Sequence, residues 1–297
     1  MRHVQQVLKV SERRACRVLE QPRSSQRFEA RNPDRDRDLI DRLHEVAKKH
    51  PRRGYRHAWA LLRREGWRVN RKRVQRLWRQ EGLCVPQVQR KRRRLGSSEN
   101  GSQRLRAEYK NHVWCYDFVM DQTEDGGRLK MLPILDEYTR EAHAILTERS
   151  ITAEDVVEQL AYLFKVHGEP EFLRSDNGPE FIANAVKEWL AVSGVKTLYI
   201  EPGSPWENAY SESFNSRFRD ELLNRELFTT VIEAKVLTEQ YRISHNHERP
   251  HSSLGWRTPA EFAAGLDANG RAPRAFGASA PWIDTDQINK TQVNALS

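Results

Sequence analysis

The chain has 297 residues, 38% of them hydrophobic, and a formal net charge of +9. This length and hydrophobic content are enough for a catalytic core and a smaller domain. No run approaches the roughly 18 apolar residues of a membrane span, and the first residues lack the apolar segment of a signal peptide. The three cysteines, Cys16, Cys84 and Cys115, are far apart and form no CxxC pair, which argues against a disulfide framework or a zinc site. We therefore expect a cytoplasmic protein in a reducing compartment, with no membrane association.

The charge is divided unequally along the chain. Residues 1–110 hold 32 Lys and Arg against 12 Asp and Glu, a net charge of +20, whereas residues 111–297 hold 18 against 29, a net charge of −11. A segment this basic suits a polyanion, because each neutralised phosphate releases condensed counterions. Nucleic acid is therefore the expected partner. A basic arm that is merely solvated is the alternative.

Three short helices are predicted in residues 36–85, after an N-terminal basic helical segment over residues 1–35. The third begins after Asn70, a favourable N-cap. Its apolar face carries Val74, Leu77 and Trp78, and its opposite face carries Arg71, Lys72, Arg76 and Arg79. This pattern is typical of a helix-turn-helix-like DNA-binding region whose last helix enters the major groove. A basic helical hairpin that contacts only phosphates is the alternative.

Residues 86–110 are predicted to be a basic linker. The segment contains Pro86 and a run of five consecutive cations: Arg90, Lys91, Arg92, Arg93 and Arg94. Like charges at this density repel one another and keep a chain extended, so we expect the run to follow a DNA backbone.

From residue 111 the pattern changes to strands and helices. Apolar runs at residues 112–120, 129–136 and 141–147 predict three antiparallel strands, and Thr152 caps an amphipathic helix that ends before Gly168. A strand over 171–175, a helix over 184–193, a strand over 195–200 and a long helix over 205–223 follow. The order βββαβαβα predicts an α/β fold with a mixed sheet, the ribonuclease-H-like order, over a core of residues 111–262 with a C-terminal helix. Residues 263–297 form a tail.

Three acids occupy positions that this fold would bring together. Asp117 lies inside the apolar run VWCYDFVM, where a carboxylate is costly unless it binds a cation or lies at an edge. Asp176 ends the fourth strand, and Glu212 lies on the long helix. The polar stripe of that helix consists of Asn208, Glu212, Asn215 and Arg219.

Convergent carboxylates suit phosphoryl transfer. Hard oxygen ligands hold Mg²⁺ or Mn²⁺, and two ions about 3.5–4 Å apart stabilise the attacking and leaving oxygens together. We therefore predict Asp117, Asp176 and Glu212 to be both the catalytic residues and the metal ligands, with two ions.

The local motifs resemble a known family. The second and third acids are separated by 35 residues, and WCYDFV, SDNGPEF and SPWENAYSESFNSRFRDEL surround the three acids. With the later NHERPHSSLGWRTP, these segments resemble the retroviral-integrase-like DDE transposases of the IS-three insertion-sequence family. The N-terminal half is similar to the same family's downstream-frame subunit, OrfB, so that the resemblance covers residues 1–262.

The resemblance implies a bacterial enzyme that cleaves DNA at insertion-sequence ends and joins the 3′-hydroxyl to target DNA. It also implies an upstream-frame OrfA-type partner, or fusion with it, and a homo-oligomer on DNA. Asn208, Asn215 and Arg219 would contact DNA, although the family often has Lys where Arg219 stands. His245, His247 and His251 could suggest a metal cluster, but the resemblance places His251 in a structural closing motif, and we assign them no metal.

Three other functions fit parts of the sequence. A DNA-binding regulator with an inactive core would lack an intact set of acids. A nuclease acting on RNA could use the same fold, since fold does not fix substrate. A glycosidase with paired carboxylates would require neither a metal nor a basic arm.

Overall fold

The structure, a computed structural model, describes residues 7, 9–27, 36–85, 105–175, 184–199 and 209–272. The chain separates into two compact units, the first of residues 1–58 and 70–84 and the second of residues 59–69 and 85–297. Within the described ranges, no helix combines the length and the apolar character needed to cross a membrane. The boundaries of the five segments stay a prediction.

The first unit is helical. Its helices are α1 (Glu12–Val18), α2 (Arg23–Gln26), α3 (Arg37–Lys49), the beginning of α4 (Tyr55–Arg64) and α5 (Arg71–Gln80). The core contains Leu39, Leu43 and Val46 of α3 and Val74, Leu77 and Trp78 of α5. These apolar side chains recur every three or four residues, which is why the periodicity located α3 and α5 correctly.

The second unit alternates strands and helices. Its strands are β1 (Val113–Tyr116), β2 (Val119–Gln122), β3 (Arg128–Asp136), β4 (Ala142–Glu148), β5 (Phe172–Ser175) and β6 (Lys196–Tyr199). Its helices are α6 (Ala153–His167), α7 (Asn184–Val192), α8 (Ala209–Phe218), α9 (Val231–His247) and α10 (Pro259–Ala264), and a π-helical turn, Arg219–Leu223, continues α8. The predicted strands and helices of the core are therefore confirmed where the structure describes them.

The six strands form one mixed sheet. β1 and β2 both pair antiparallel with β3, β3 pairs antiparallel with β4, and β1, β5 and β6 are parallel neighbours. β1 and β2 share a single register against β3, so they are two halves of the first predicted strand. Counted this way, the order is βββαβαβα, and the predicted ribonuclease-H-like fold class is confirmed.

Helices cover both faces of the sheet because successive side chains of a strand point to opposite faces. On one face Trp114 and Tyr116 pack with Leu160 of α6 and Val186 of α7. On the other face Cys115 joins a second buried cluster, in which the aromatic side chains are Phe214 and Phe218, Phe228 and Tyr241. The strand that contains Asp117 therefore lies between two apolar layers.

The first apolar layer contains two histidines. The ring of His143, in β4, lies 4.2 Å from that of His167 and 4.4 Å from that of Trp114, measured between centroids. Burial, together with His167, lowers the pKa of His143 well below its usual value. The folded protein therefore holds His143 as the neutral imidazole.

We predict that acid destabilises the second unit through His143. Unfolded histidine has a pKa of about 6.5, so below that pH the unfolded state binds a proton that the folded state does not. The stabilisation is complete above about pH 6.5 and is lost as the pH falls, by at most about 1.4 kcal/mol per pH unit. Urea denaturation at several pH values measures it.

His143→Gln should reduce this pH dependence but not remove it, because burial also lowers the pKa of His167 and of His251. His247, which is exposed on α9, provides the matched control, and His247→Gln should keep the wild-type slope. Equal slopes in the wild type and His143→Gln would contradict the assignment.

Candidate active site and nucleic-acid interface

Asp117 lies in a two-residue break between β1 and β2 and is half-buried. Tyr116 pairs with Ile134 and Val119 pairs with Met131, so the register places Asp117 opposite Pro133 of β3. Asp117 therefore has a residue opposite it in β3, although the regular pairing of strands stops at this point.

Pro133 explains why the ladder stops at Asp117. The Glu137 amide donates to the Val113 carbonyl at 2.9 Å, and hydrogen-bonded pairs recur at every second residue of an antiparallel pair. Asp117 is four residues beyond Val113, so it belongs to the bonded set and requires an amide from Pro133. Proline has no N–H to donate. The backbone at Asp117 is thus released from the ladder by the residue opposite it.

Helix α8 supplies a donor to the Asp117 carboxylate. Asn215 Nδ2 donates to Asp117 Oδ2 at 3.0 Å. The other amide atom, Asn215 Oδ1, is buried and has no hydrogen-bond partner among the residues that the structure describes. Asn215 was predicted to contact DNA; the structure adds a direct bond to the first acid.

The same face of α8 carries Glu212 and leads to Arg219. Residues three apart on a helix are neighbours, with about 5–6 Å between Cβ atoms, so Glu212 lies next to Asn215 and is exposed. Arg219, also exposed, donates to the Met120 carbonyl of β2 at 3.2 Å. The polar stripe of α8 therefore runs beside residues 117–120 of the sheet.

Several predicted site residues lie outside the described residues. They are Asp176, Asn208 and the basic run Arg90, Lys91, Arg92, Arg93 and Arg94. The structure therefore places two of the three acids, Asp117 and Glu212.

A buried ion pair near the acids was not predicted. Arg174 Nε, in β5, donates to Glu137 Oε1 at 2.9 Å, and both side chains are almost fully buried. Arg174 also donates to the Leu105 carbonyl at 2.8 Å. Burial, together with Glu137, raises the pKa of the Cys115 thiol, which favours its protonated form. Charged residues inside apolar strands were the only sequence signal for the pair.

Helix α5 presents the predicted basic surface. The Asn70 side chain accepts from the Lys72 amide at 2.9 Å, which confirms the N-cap. Arg71, Lys72, Arg76 and Arg79 are all exposed. Arg76 donates to Asp36 Oδ2 at 3.1 Å, and Arg73, which was not predicted to be a contact residue, pairs with the same carboxylate at 2.8 Å. Three of the four cations therefore remain without a carboxylate partner in the described part of the chain.

Models of known protein families match both the helical region and the core. Residues 107–205 and 193–259 each match an integrase core domain, and residues 32–93 match an HTH-like domain.

Known proteins resemble the chain over most of its length. The insertion element IS407 uncharacterized 31.7 kDa protein of Burkholderia multivorans is 39% identical over 276 residues, 93% of this chain and 99% of that protein. Transposase InsD for insertion element IS2D of Escherichia coli is 29% identical over 248 residues, 79% of this chain and 81% of that protein. A structure of the HTLV-2 integrase catalytic core domain in complex with magnesium is 14% identical, with a TM-score of 0.42, covering 52% of this chain and 97% of that one.

A mixed sheet with two acids beside its central strand, joined to a helical region with an exposed basic helix, defines a polynucleotidyl transferase with a nucleic-acid-binding region. The chain belongs to the integrase-core family of insertion-element proteins, the retroviral-integrase-like DDE transposases of the IS-three type. Its role is in DNA transposition.

We predict that Pro133→Ala closes the ladder opposite Asp117. The new amide should be protected from hydrogen exchange, because it lies in the bonded register. Hydrogen-exchange mass spectrometry of the β3 peptide measures it as one additional protected amide. Pro259→Ala is the control: Pro259 is at the first turn of α10, where amides have no intrahelical partner, so its new amide should exchange fast. Fast exchange at residue 133 would mean that the break has another cause.

Proposed function

We propose that this transposase cleaves a DNA strand at the ends of an insertion element and joins the 3′-hydroxyl to target DNA, with Asp117, Asp176 and Glu212 as its catalytic acids. One observation carries the proposal. Asp117, in a break of the central strand, is bonded to Asn215, which lies one turn beyond Glu212 on α8. This bond supports a site to which Asp117 and Glu212 both contribute, although they lie far apart in the sequence.

The strand register supports adding Asp176. β1 and β5 are parallel neighbours, and Cys115 pairs with Arg174. Asp117 and Asp176 each follow two residues later along the chain. The carboxyl ends of adjacent parallel strands meet at one edge of a sheet, which is the usual place for a site in such folds.

The residues present suit a divalent cation. Asp117 and Glu212 offer hard carboxylate oxygens, and the buried Asn215 Oδ1, without a hydrogen-bond partner among described residues, is a further oxygen in the same place. We propose that Asp117, Asp176 and Glu212 would hold Mg²⁺ or Mn²⁺, with two ions. Such ions would supply Lewis-acid charge at the scissile phosphodiester.

The protein's own residues would orient the reaction. Asn215 fixes the Asp117 carboxylate by donating to Oδ2 at 3.0 Å. Arg219, attached to the Met120 carbonyl, would place its cation beside a DNA phosphate. Asn208 and Asn215 would contact DNA along the same stripe. Water and then the 3′-hydroxyl are the nucleophiles, so no protein nucleophile is required.

We further propose that the first unit and the linker hold the DNA. The exposed cations of α5 would contact the phosphates or bases of one groove, and Arg90, Lys91, Arg92, Arg93 and Arg94 would neutralise further phosphates. An OrfA-type partner or fusion, a homo-oligomer on DNA, and a cytoplasmic, nucleoid-associated location complete the proposal.

Substitution of any of the three acids should remove catalysis but leave DNA binding. Asp117→Asn, Asp176→Asn and Glu212→Gln should each lower strand transfer by roughly 10³-fold or more, because the acids act as one unit. The assay joins an oligonucleotide that carries the element's own ends to target DNA with Mg²⁺ or Mn²⁺. Glu188→Gln, on the exposed surface of α7, should leave the rate unchanged. A wild-type rate in any of the three variants would remove that acid from the proposed set.

The exposed cations of α5 should dominate the salt dependence of DNA binding. The triple variant Arg71→Gln, Lys72→Gln, Arg79→Gln should reduce the slope of log affinity against log salt by up to about 0.9 for each charge. Arg76 is omitted because it pairs with Asp36.

A matched control removes the same charge elsewhere in the first unit. Arg13, Arg14 and Arg17 are exposed on α1, and replacing all three with Gln should change the slope much less. If the two triple variants reduce the slope equally, the affinity comes from the overall charge and α5 is not the DNA-reading helix.

A further inference from the structure

A group of basic side chains lies beside the face of α8 that is opposite Glu212 and Asn215. We define the arginine cluster as Arg140, which precedes β4, Arg217 of α8, and Arg249 and His251, which follow α9. Tyr210, Arg217 and Glu221 are spaced by seven and four residues and share this face of the helix. Glu212 and Asn215 point away from it. The arginine cluster is therefore separate from the proposed catalytic site.

The cluster has more positive than negative charge. Arg249 Nη2 pairs with Glu221 Oε1 at 2.6 Å, and these side chains are only 12% and 9% exposed. In the part of the chain that the structure describes, neither Arg140 nor Arg217 has an ion pair with a carboxylate. Arg217 interacts electrostatically with both Arg249 and Arg140. Three guanidinium groups thus share one carboxylate, and arginine does not relieve such crowding by losing its proton.

Three polar nitrogen atoms in the cluster are left without partners. Arg140 Nη1, Arg249 Nη1 and His251 Nε2 are buried, and none has a hydrogen-bond partner among the described residues. Arg140 Cζ lies 3.5 Å from the centroid of the Tyr210 ring, a cation–π contact that takes up none of the guanidinium N–H groups. Buried donors are nearly always satisfied, and a set of orphaned donors in one place indicates an absent acceptor.

His251 lies in the positive electrostatic environment of the three arginines. Burial, followed by His245 and the three arginines, lowers the pKa of His251 far below its usual value. Its imidazole is therefore neutral and can still donate one N–H. An anion in the cluster would both compensate the arginines and accept from these groups.

From these observations we propose that the arginine cluster is an anion site that binds a phosphate-type oxyanion. A tetrahedral oxyanion presents several acceptor oxygens, and the planar fork of arginine binds such oxygens in pairs. Arg217 is the exposed member and forms the entrance from solvent. The oxyanion is either free inorganic phosphate or a phosphodiester of bound DNA, which present the same oxygens.

Titration of the full chain with inorganic phosphate tests the site. Isothermal titration calorimetry of the wild type should show saturable binding that chloride at equal ionic strength does not reproduce. Arg217→Gln should weaken this binding at least tenfold; because Arg217 is exposed, the variant should fold, which circular dichroism verifies. Arg225→Gln, an exposed arginine beyond the cluster, should bind phosphate as the wild type does.

Two further measurements distinguish free phosphate from a DNA phosphodiester, and the arginine cluster from the proposed catalytic site. If a DNA duplex competes with phosphate in the wild type, the cluster takes a DNA phosphodiester; if the two bind without competing, the ligand is the free anion. Asp117→Asn should keep phosphate binding, because the acids lie on the other face of α8. Equal phosphate affinity in Arg217→Gln and the wild type, or no binding beyond that of chloride, would overturn the proposal.

Discussion

The central constraint on this fold is a half-buried carboxylate that directly follows an apolar strand. Asp117 follows Cys115 and Tyr116, both fully buried, and an ionised carboxylate in such surroundings is costly unless it is paired. Asn215 offsets part of this cost by donating to the carboxylate. Pro133, opposite Asp117, has no amide to donate, so regular pairing with β3 stops there. The residue that stabilises the Asp117 carboxylate, Asn215, is thus on the same face of α8 as Glu212, the second acid proposed for the site.

Much of the fold could be predicted from the sequence because its elements are strongly periodic. Val74, Leu77 and Trp78 recur with helical spacing and are buried as expected. The interruption of the first strand was not predicted, because it depends on which residue of β3 lies opposite Asp117. Proline in a strand is a visible signal, but its effect requires the register.

The candidate site, like the fold, could be predicted from the sequence only in part. Asp117 could be identified because a carboxylate is conspicuous within VWCYDFVM, and Asn215 could be placed near Glu212 by helical spacing. The bond from Asn215 to Asp117 could not be predicted, because it requires the helix to be docked on the sheet. Arg174 of β5 and Glu137, which follows β3, are likewise brought together only because both strands are neighbours of β1. Contacts within one element follow from the sequence, whereas contacts between elements follow from topology.

The orientation of helix α8 about its own axis is fixed by its packing, and this orientation decides which side chains face Asp117. Phe214 and Phe218 pack against Tyr241, with ring centroids 6.0 and 5.1 Å away, and hold one narrow apolar stripe in the core. A shift of one residue would turn the helix by about 100° and would remove Asn215 from Asp117. The π-helical turn after Phe218 buries both Leu222 and Leu223. It begins at Arg219, which reaches Met120 on one side, and contains Glu221, which pairs with Arg249 on the other. The aromatic stripe of α8 therefore fixes which face of the helix carries Glu212 and Asn215 and which carries Tyr210 and Arg217.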